Sequence, residues 1–213
     1  MEEEMKLQIA RGMVLALVMS VPLFADDKAK GAEEMSPQAA MAAAAAAAEP
    51  VREHAMLQRM EGTWDVLGKA FMPDAEPIEM SGTMVNEMVL GGRYLESSYL
   101  GTFFGQKFWG RGLEGYDRNT ETHYSHWYDS MSTGVMILTG SADKTGKVRT
   151  LEGDRFDAAL GRTVREKAIT RIKSHSTYTY ESWTDFGDGE WFRTMQLVFS
   201  KRDDAVKNKK GTR

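Results

Sequence analysis

The sequence predicts an all-β protein: a single antiparallel up-and-down β-barrel of about ten strands, entered through one short helix. Three observations carry that prediction. From Gly62 onward the chain is a succession of short alternating, β-branched and aromatic stretches. Explicit turn clusters separate them: Pro73-Asp-Ala-Glu-Pro77, Gly91-Gly92, Asp117-Arg-Asn119, Asp143-Lys-Thr-Gly146 and Asp185-Phe-Gly-Asp-Gly189. No intervening segment is long enough for a helical crossover, so consecutive strands must run antiparallel. Ten hairpin-linked strands strain an open sheet, and closing it removes the exposed edges.

In chain order, residues 1–25 come first. Lys6 and Arg11 precede an apolar run, Met13 to Met19, that continues through Phe24 to Ala25. A positive start, a short apolar stretch and a small residue at the cut is the layout of a secretory signal peptide. The run falls short of the ~20 apolar residues of a transmembrane helix. Glu2, Glu3 and Glu4 depart from the pattern, which leaves Met5 as an alternative start, and Leu23 is large for its place near the cut. The mature chain is expected to begin at Asp26 and to be exported, periplasmic or secreted, with no integral span after cleavage. An uncleaved N-terminal anchor is the alternative.

Residues 26–50 are Ala-rich, with the run Ala42 to Ala48. Alanine favours helix, but the segment has no large apolar face to bury, so it reads as a disordered, transiently helical linker. The barrel domain is expected over residues 51–201, followed by a basic tail, 202–213. From Lys201 to Arg213 there are six basic and two acidic residues. A short helix is expected over residues 51–60, where Pro50 suits a helix start and Met56, Leu57 and Met60 share a face. Strands are expected over residues 63–71, 79–90, 93–104, 107–117, 122–130, 134–142, 149–156, 163–173, 176–184 and 190–201. The last shows the inward pattern well, with Met195, Leu197 and Phe199 alternating with Gln196, Val198 and Ser200.

Composition bounds the function. Of 213 residues, 42% are hydrophobic and 27% charged, which excludes wholesale disorder and a multi-span membrane protein. A net charge of −4 does not advertise nucleic acid as a partner. The absence of cysteine excludes disulfides, thiolate metal sites and a cysteine nucleophile.

Gly62-Thr-Trp64, just after a short helix and at the start of the first strand, resembles the opening of lipocalin-like (calycin) barrels. The strings Val89-Leu-Gly-Gly-Arg-Tyr-Leu95, Gly110-Arg-Gly-Leu-Glu-Gly-Tyr-Asp117 and Trp127-Tyr-Asp-Ser-Met-Ser-Thr-Gly134 resemble, in that order, a bacterial family known as domain of unknown function 1579. The resemblance spans Leu57 to Lys201 and implies a lipocalin-like barrel, often behind a signal peptide, without an established activity. It also implies that Trp64 plugs the closed end, under Lys201 or Arg202 from the last strand.

The candidate chemistry is sparse. His123 and His126 are three apart, which on a strand turns them to opposite faces and makes a poor chelate. His54 falls on the leading helix. His175 falls in a turn, and it is the candidate axial ligand if, as in some related barrels, haem were bound. No metal site is expected, and no cofactor. Glu87 falls opposite Glu96 across the Gly91-Gly92 turn; the two read as a solvent-facing pair bridged by a basic neighbour. Gly110 to Gly115 has some glycines of a nucleotide loop but no following helix to hold a phosphate. Gly101, Gly105, Gly110, Gly112 and Gly115 suit sharp barrel corners, or close approach of another group.

The richest region is the central hairpin. A turn around Asp117–Thr122 is expected to bring Arg111 near Trp127 and Trp109 near Asp129 on one face, as a head-group anchor or a structural ion pair. Tyr99, Ser130 and Thr133 join the candidate ligand-binding set. Ser130 lacks a nearby histidine base, which excludes a serine hydrolase. Methionine, 15 in all, suits core filling and permissive apolar pockets alike.

Three functions follow. The first is an exported barrel that binds a small apolar or amphipathic molecule. The second is a barrel with a filled core, acting as a structural or interaction domain. The third is an enzyme with Asp129 or Glu96 as base and Arg111 as partner. Interior volume separates the second from the others.

Overall fold

The structure, a computed structural model, describes residues 35–202. The expected signal peptide, the start of the linker and the tail beyond Arg202 lie outside the described residues. The chain divides into two units, residues 1–41 and 42–213. Helix α1 (Pro37–Ala48) buries none of its residues. Its last carbonyls are held instead by guanidinium groups: Arg93 Nε donates to Ala48 O at 2.8 Å, and Arg118 donates to Ala46 O and to Glu49 O. Cations at a helix C-terminus satisfy orphan carbonyls and suit the dipole.

Helix α2 (Arg52–Leu57) continues as a 3₁₀ turn, Gln58–Met60. Then come ten strands: β1 (Gly62–Ala70), β2 (Ile78–Val89), β3 (Tyr94–Phe103), β4 (Gln106–Asp117), β5 (Thr122–Asp129), β6 (Met136–Ala142), β7 (Val148–Asp157), β8 (Arg162–Ile172), β9 (Thr177–Asp185) and β10 (Trp191–Lys201). Every strand pairs antiparallel with its sequence neighbours, and β1 pairs with β10 to close the barrel. The fold is the one the sequence predicts, with strand ends within two residues of expectation.

Alternation sorts the walls. Trp64, Val66 and Ala70 of β1 and Leu197 and Phe199 of β10 point inward and are buried, while Leu67 and Val198 between them are exposed. The β2–β3 connection is longer than a two-residue turn. Leu90, Gly91 and Gly92 all have positive φ, at 50°, 68° and 81°, and Val89 pairs with Tyr94. The register is unchanged by this, so Glu87 does face Glu96.

One end of the barrel is plugged. Leu57 and Met60 join Trp64, Tyr178 and Phe199 in a buried cluster. The Met60 carbonyl accepts from both Trp64 Nε1 and Asn86 Nδ2, each at 2.8 Å, which ties the helical plug to two strands. Lys201 Nζ stands 5.3 Å from the Trp64 ring centroid, the cation–π contact implied by the resemblance. Arg202 turns away to Asp65 and Thr83 on the outer face.

Beside this plug, His123 is buried with its Nδ1 unpartnered, 4.8 Å ring to ring from Tyr116. Burial, helped by the nearby Arg149 cation, lowers its pKa to about 4, and burial lowers that of His54 as well. A histidine held below its unfolded value binds protons better in the unfolded chain, so its contribution is intact above about pH 6.5 and is lost as pH falls towards 4. The thermal midpoint is therefore expected to fall between pH 6.5 and 4, and His123→Phe to flatten that slope; melting curves across this range check it. Asp157 and Asp185, held below the usual carboxylate range, act lower on the scale and leave this window to the histidines.

Candidate ligand cavity

The other end is open. The connections 71–77, 104–105, 130–135, 158–161 and 186–190 surround a mouth that leads into a cavity of about 1610 Å³. One side is apolar: Met80, Met84, Leu95, Phe103, Phe108, Met195 and Leu197 line it from β2, β3, β4 and β10. Methionines here pack against the core cluster and also face the space, so core filling and pocket lining are not alternatives.

The opposite side is polar. Arg149 of β7 is paired with Glu114 of β4. Arg155 of β7 reaches Glu166 of β8 at 2.9 Å and Asp157 at 3.0 Å. Glu166, 3% exposed, also accepts from Ser182 Oγ and from Thr184 Oγ1. A buried carboxylate needs this completeness of bonding, because each unmet acceptor costs about 1–3 kcal/mol. Burial opposes the ionised form of Asp157, but bonds from Leu160 N, Arg155 and Ala159 N hold it below the usual carboxylate range. Burial raises the phenols of Tyr99, Tyr178 and Tyr180 above the ordinary tyrosine value, and the Tyr178 hydroxyl accepts from Asn86 Nδ2.

The central hairpin differs from expectation by one residue. The observed pairs are Gly110 with Asp129, Arg111 with Tyr128 and Gly112 with Trp127. Trp127 and Asp129 therefore face inward and line the cavity, while Trp109 and Arg111 point outward. Trp109 is 53% exposed under Lys107 Nζ at 5.5 Å, and Arg111 lies 3.7 Å from Glu96 on the outer wall. The four residues do not form one cluster. Neither Arg111 nor Glu96 reaches the cavity, so the carboxylate-enzyme reading loses one of its bases and its cationic partner. Ser130 and Thr133 are exposed at the mouth and Tyr99 is buried in the wall; all three line the cavity. His175 sits on the exposed connection 173–176 at the plugged end and does not line it.

The strand glycines have a third role, besides corners and a ligand pressed on bare backbone. A Cβ at Gly110 would stand 2.3 Å from Trp127 Cζ2, and one at Gly112 would stand 3.1 Å from Cε3. The indole lies on bare β4 backbone, which only glycine at 110 permits. Tyr99 rests in the same way over Gly82 and Gly101.

The polar wall of Glu114, Arg149, Arg155, Asp157, Glu166 and Ser182 went unread in the sequence. A signal was present: Glu166 stands between Val164 and Ala168 in the buried register of β8, where a charge must be paired. Among the described residues there is no group of three or more His, Asp or Glu side chains arranged to hold a metal. No helix among them is long and apolar enough to cross a membrane.

A closed ten-stranded antiparallel barrel, plugged at one end by a tryptophan under a lysine and hollow at the other, defines a lipocalin-like barrel protein. The chain belongs to the protein family of unknown function DUF1579, whose model matches residues 49–201. Its fold is similar to the crystal structure of Rv2717c from M. tuberculosis, with 16% identity over 73% of this chain and 100% of that one and a TM-score of 0.54. A more distant similarity is to the S-type phycobiliprotein lyase CPES from Guillardia theta, at 13% identity over 72% of this chain and 98% of that one, with a TM-score of 0.46. No curated protein sequence matches the chain.

Proposed function

We propose that the protein is an exported carrier that holds one small amphipathic molecule inside its barrel. The observation that carries this reading is the cavity itself. At about 1610 Å³ it exceeds the ~300–1,000 Å³ typical of small-molecule pockets. A purely structural barrel has no need of such a space, because the interior of a small barrel can be filled by its own side chains, and leaving it hollow forgoes that packing. The lining is two-sided, with aliphatic and aromatic groups facing a hydrogen-bonded polar wall, so it suits a molecule with an apolar body and a polar end. Export rests on residues 1–25 and their signal-peptide layout.

Native mass spectrometry of the protein purified from its own compartment tests both parts. The expected result is a mass that begins at Asp26 and carries a reproducible small adduct, which denaturation releases and Trp127→Ala loses. A bare mass, together with no thermal shift from a panel of amphiphiles, would overturn carriage. A full-length N-terminus would overturn cleavage.

A further inference from the structure

Within the carrier reading, on which this inference rests, we propose that the mouth side of the cavity is a seat for a cationic head group. An ammonium borne on an apolar body would lie on the Trp127 ring beside the Asp129 carboxylate.

Three features converge there. Trp127 is laid flat on the β4 backbone by the glycines at 110 and 112, so one indole face is used up by the wall and the other lines the cavity. An indole face attracts cations through its quadrupole, more strongly where water is excluded. Asp129 is fixed at the edge of the same ring. Its Oδ2 accepts from Trp127 Nε1 at 3.0 Å and its Oδ1 from Met131 N at 2.9 Å. Both donors are neutral, so they orient the carboxylate without cancelling its charge.

The third feature is the charge balance. Arg149 answers Glu114, and Arg155 is shared by Glu166 and Asp157. Arg162, at the rim, donates to the Phe186 carbonyl. Among the described residues, Asp129 is given no basic partner by any ion pair. Among the described residues the cavity lining therefore holds more carboxylate than guanidinium; Asp129 and Asp154 are the lining carboxylates without an ion pair, and of the two Asp129 is bonded to the indole. An anionic head would meet Asp129 without compensation; a cationic one completes the pair. Beyond the seat, Phe108 and Phe103 continue the apolar side, their rings 5.8 Å apart, where an alkyl or polycyclic body would lie.

The test is calorimetric titration of the full chain with three dodecyl amphiphiles below their micellar concentrations: trimethylammonium, sulfate and maltoside. The unmodified protein is expected to prefer the ammonium about tenfold over the sulfate. Asp129→Asn removes the charge and keeps one carbonyl acceptor, enough for either Trp127 Nε1 or Met131 N, and it is expected to abolish that preference while leaving maltoside binding within about twofold. Equal binding of all three by the unmodified protein would overturn the cationic seat and leave the carrier standing. A preference that survives in Asp129→Asn would overturn the assignment to Asp129. Binding of none of them would overturn the carrier reading, and the seat with it. The comparison within the unmodified protein stands whatever the stability of the variant.

Discussion

Trp64→Ala is expected to lower stability by about 3–5 kcal/mol, the usual cost of truncating a large buried aromatic. For a domain of this size that is a fall of about 10 °C in the thermal midpoint. Trp64 is 1% exposed, stands edge-on to Tyr178 at 4.7 Å between centroids, and carries Lys201 over its ring. Its loss empties the plugged end, removes the cation–π partner of Lys201 and deletes one of two side-chain donors to the Met60 carbonyl. The other donor, Asn86 Nδ2, remains, so the carbonyl is not orphaned and the cost is chiefly packing. Trp64→Phe should therefore recover more than half of the loss. Thermal unfolding of both variants decides the matter, and a loss below about 1 kcal/mol for Trp64→Ala would mean that the helical plug closes over the gap. The cavity mouth lies at the far end, so amphiphile affinity is expected to change little in the variant that remains folded.

This division between a packed floor and a hollow cup was only half legible in the sequence. Strand positions were readable because alternation and turn glycines are local signals. Trp64 and Lys201 were readable because a resemblance tied them together across the whole domain. The cup was misread at one point for a simple reason: strand side chains alternate, and a slip of one residue exchanges the faces. Placing Arg111 opposite Trp127, where the structure pairs Gly112 with Trp127, put Trp109 and Arg111 on one face with Trp127 and Asp129 and concealed the glycine seat of the indole. The polar wall was missed differently. Arg149, Arg155 and Glu166 come from β7 and β8, and each looks like a surface residue until its parity with Leu151, Val164 and Ala168 is counted. That parity is local information. Their pairing with Glu114, Asp157 and Ser182 in part crosses strands, and no single stretch of sequence displays it.

The network on that wall carries the second large effect. Arg155→Met is expected to destabilise the barrel by about 3 kcal/mol, because it leaves Glu166 and Asp157 inside with no cation. The low end of the buried-pair range applies, since the Arg155 side chain keeps 31% exposure, towards the cavity, whereas that of Glu166 keeps only 4%. The loss is thus less a bond forgone than a carboxylate stranded. Glu166 would still accept from Ser182 and Thr184, but two hydroxyl bonds do not replace the guanidinium charge. If that is the cause, removing the charge must repair the damage. Arg155→Met combined with Glu166→Gln is expected to regain at least half the lost stability, although Glu166→Gln alone, which leaves Arg155 facing only Asp157, should cost about 1–2 kcal/mol. Denaturant unfolding of the two single variants and the double variant measures this coupling directly. Additive losses would show that Arg155 acts through its packing along the wall and not through its charge. A strong coupling would identify the polar wall as a self-satisfied rib of the barrel, whose charges answer one another, so that a ligand head group gains most at Asp129, an inward carboxylate that no ion pair among the described residues occupies.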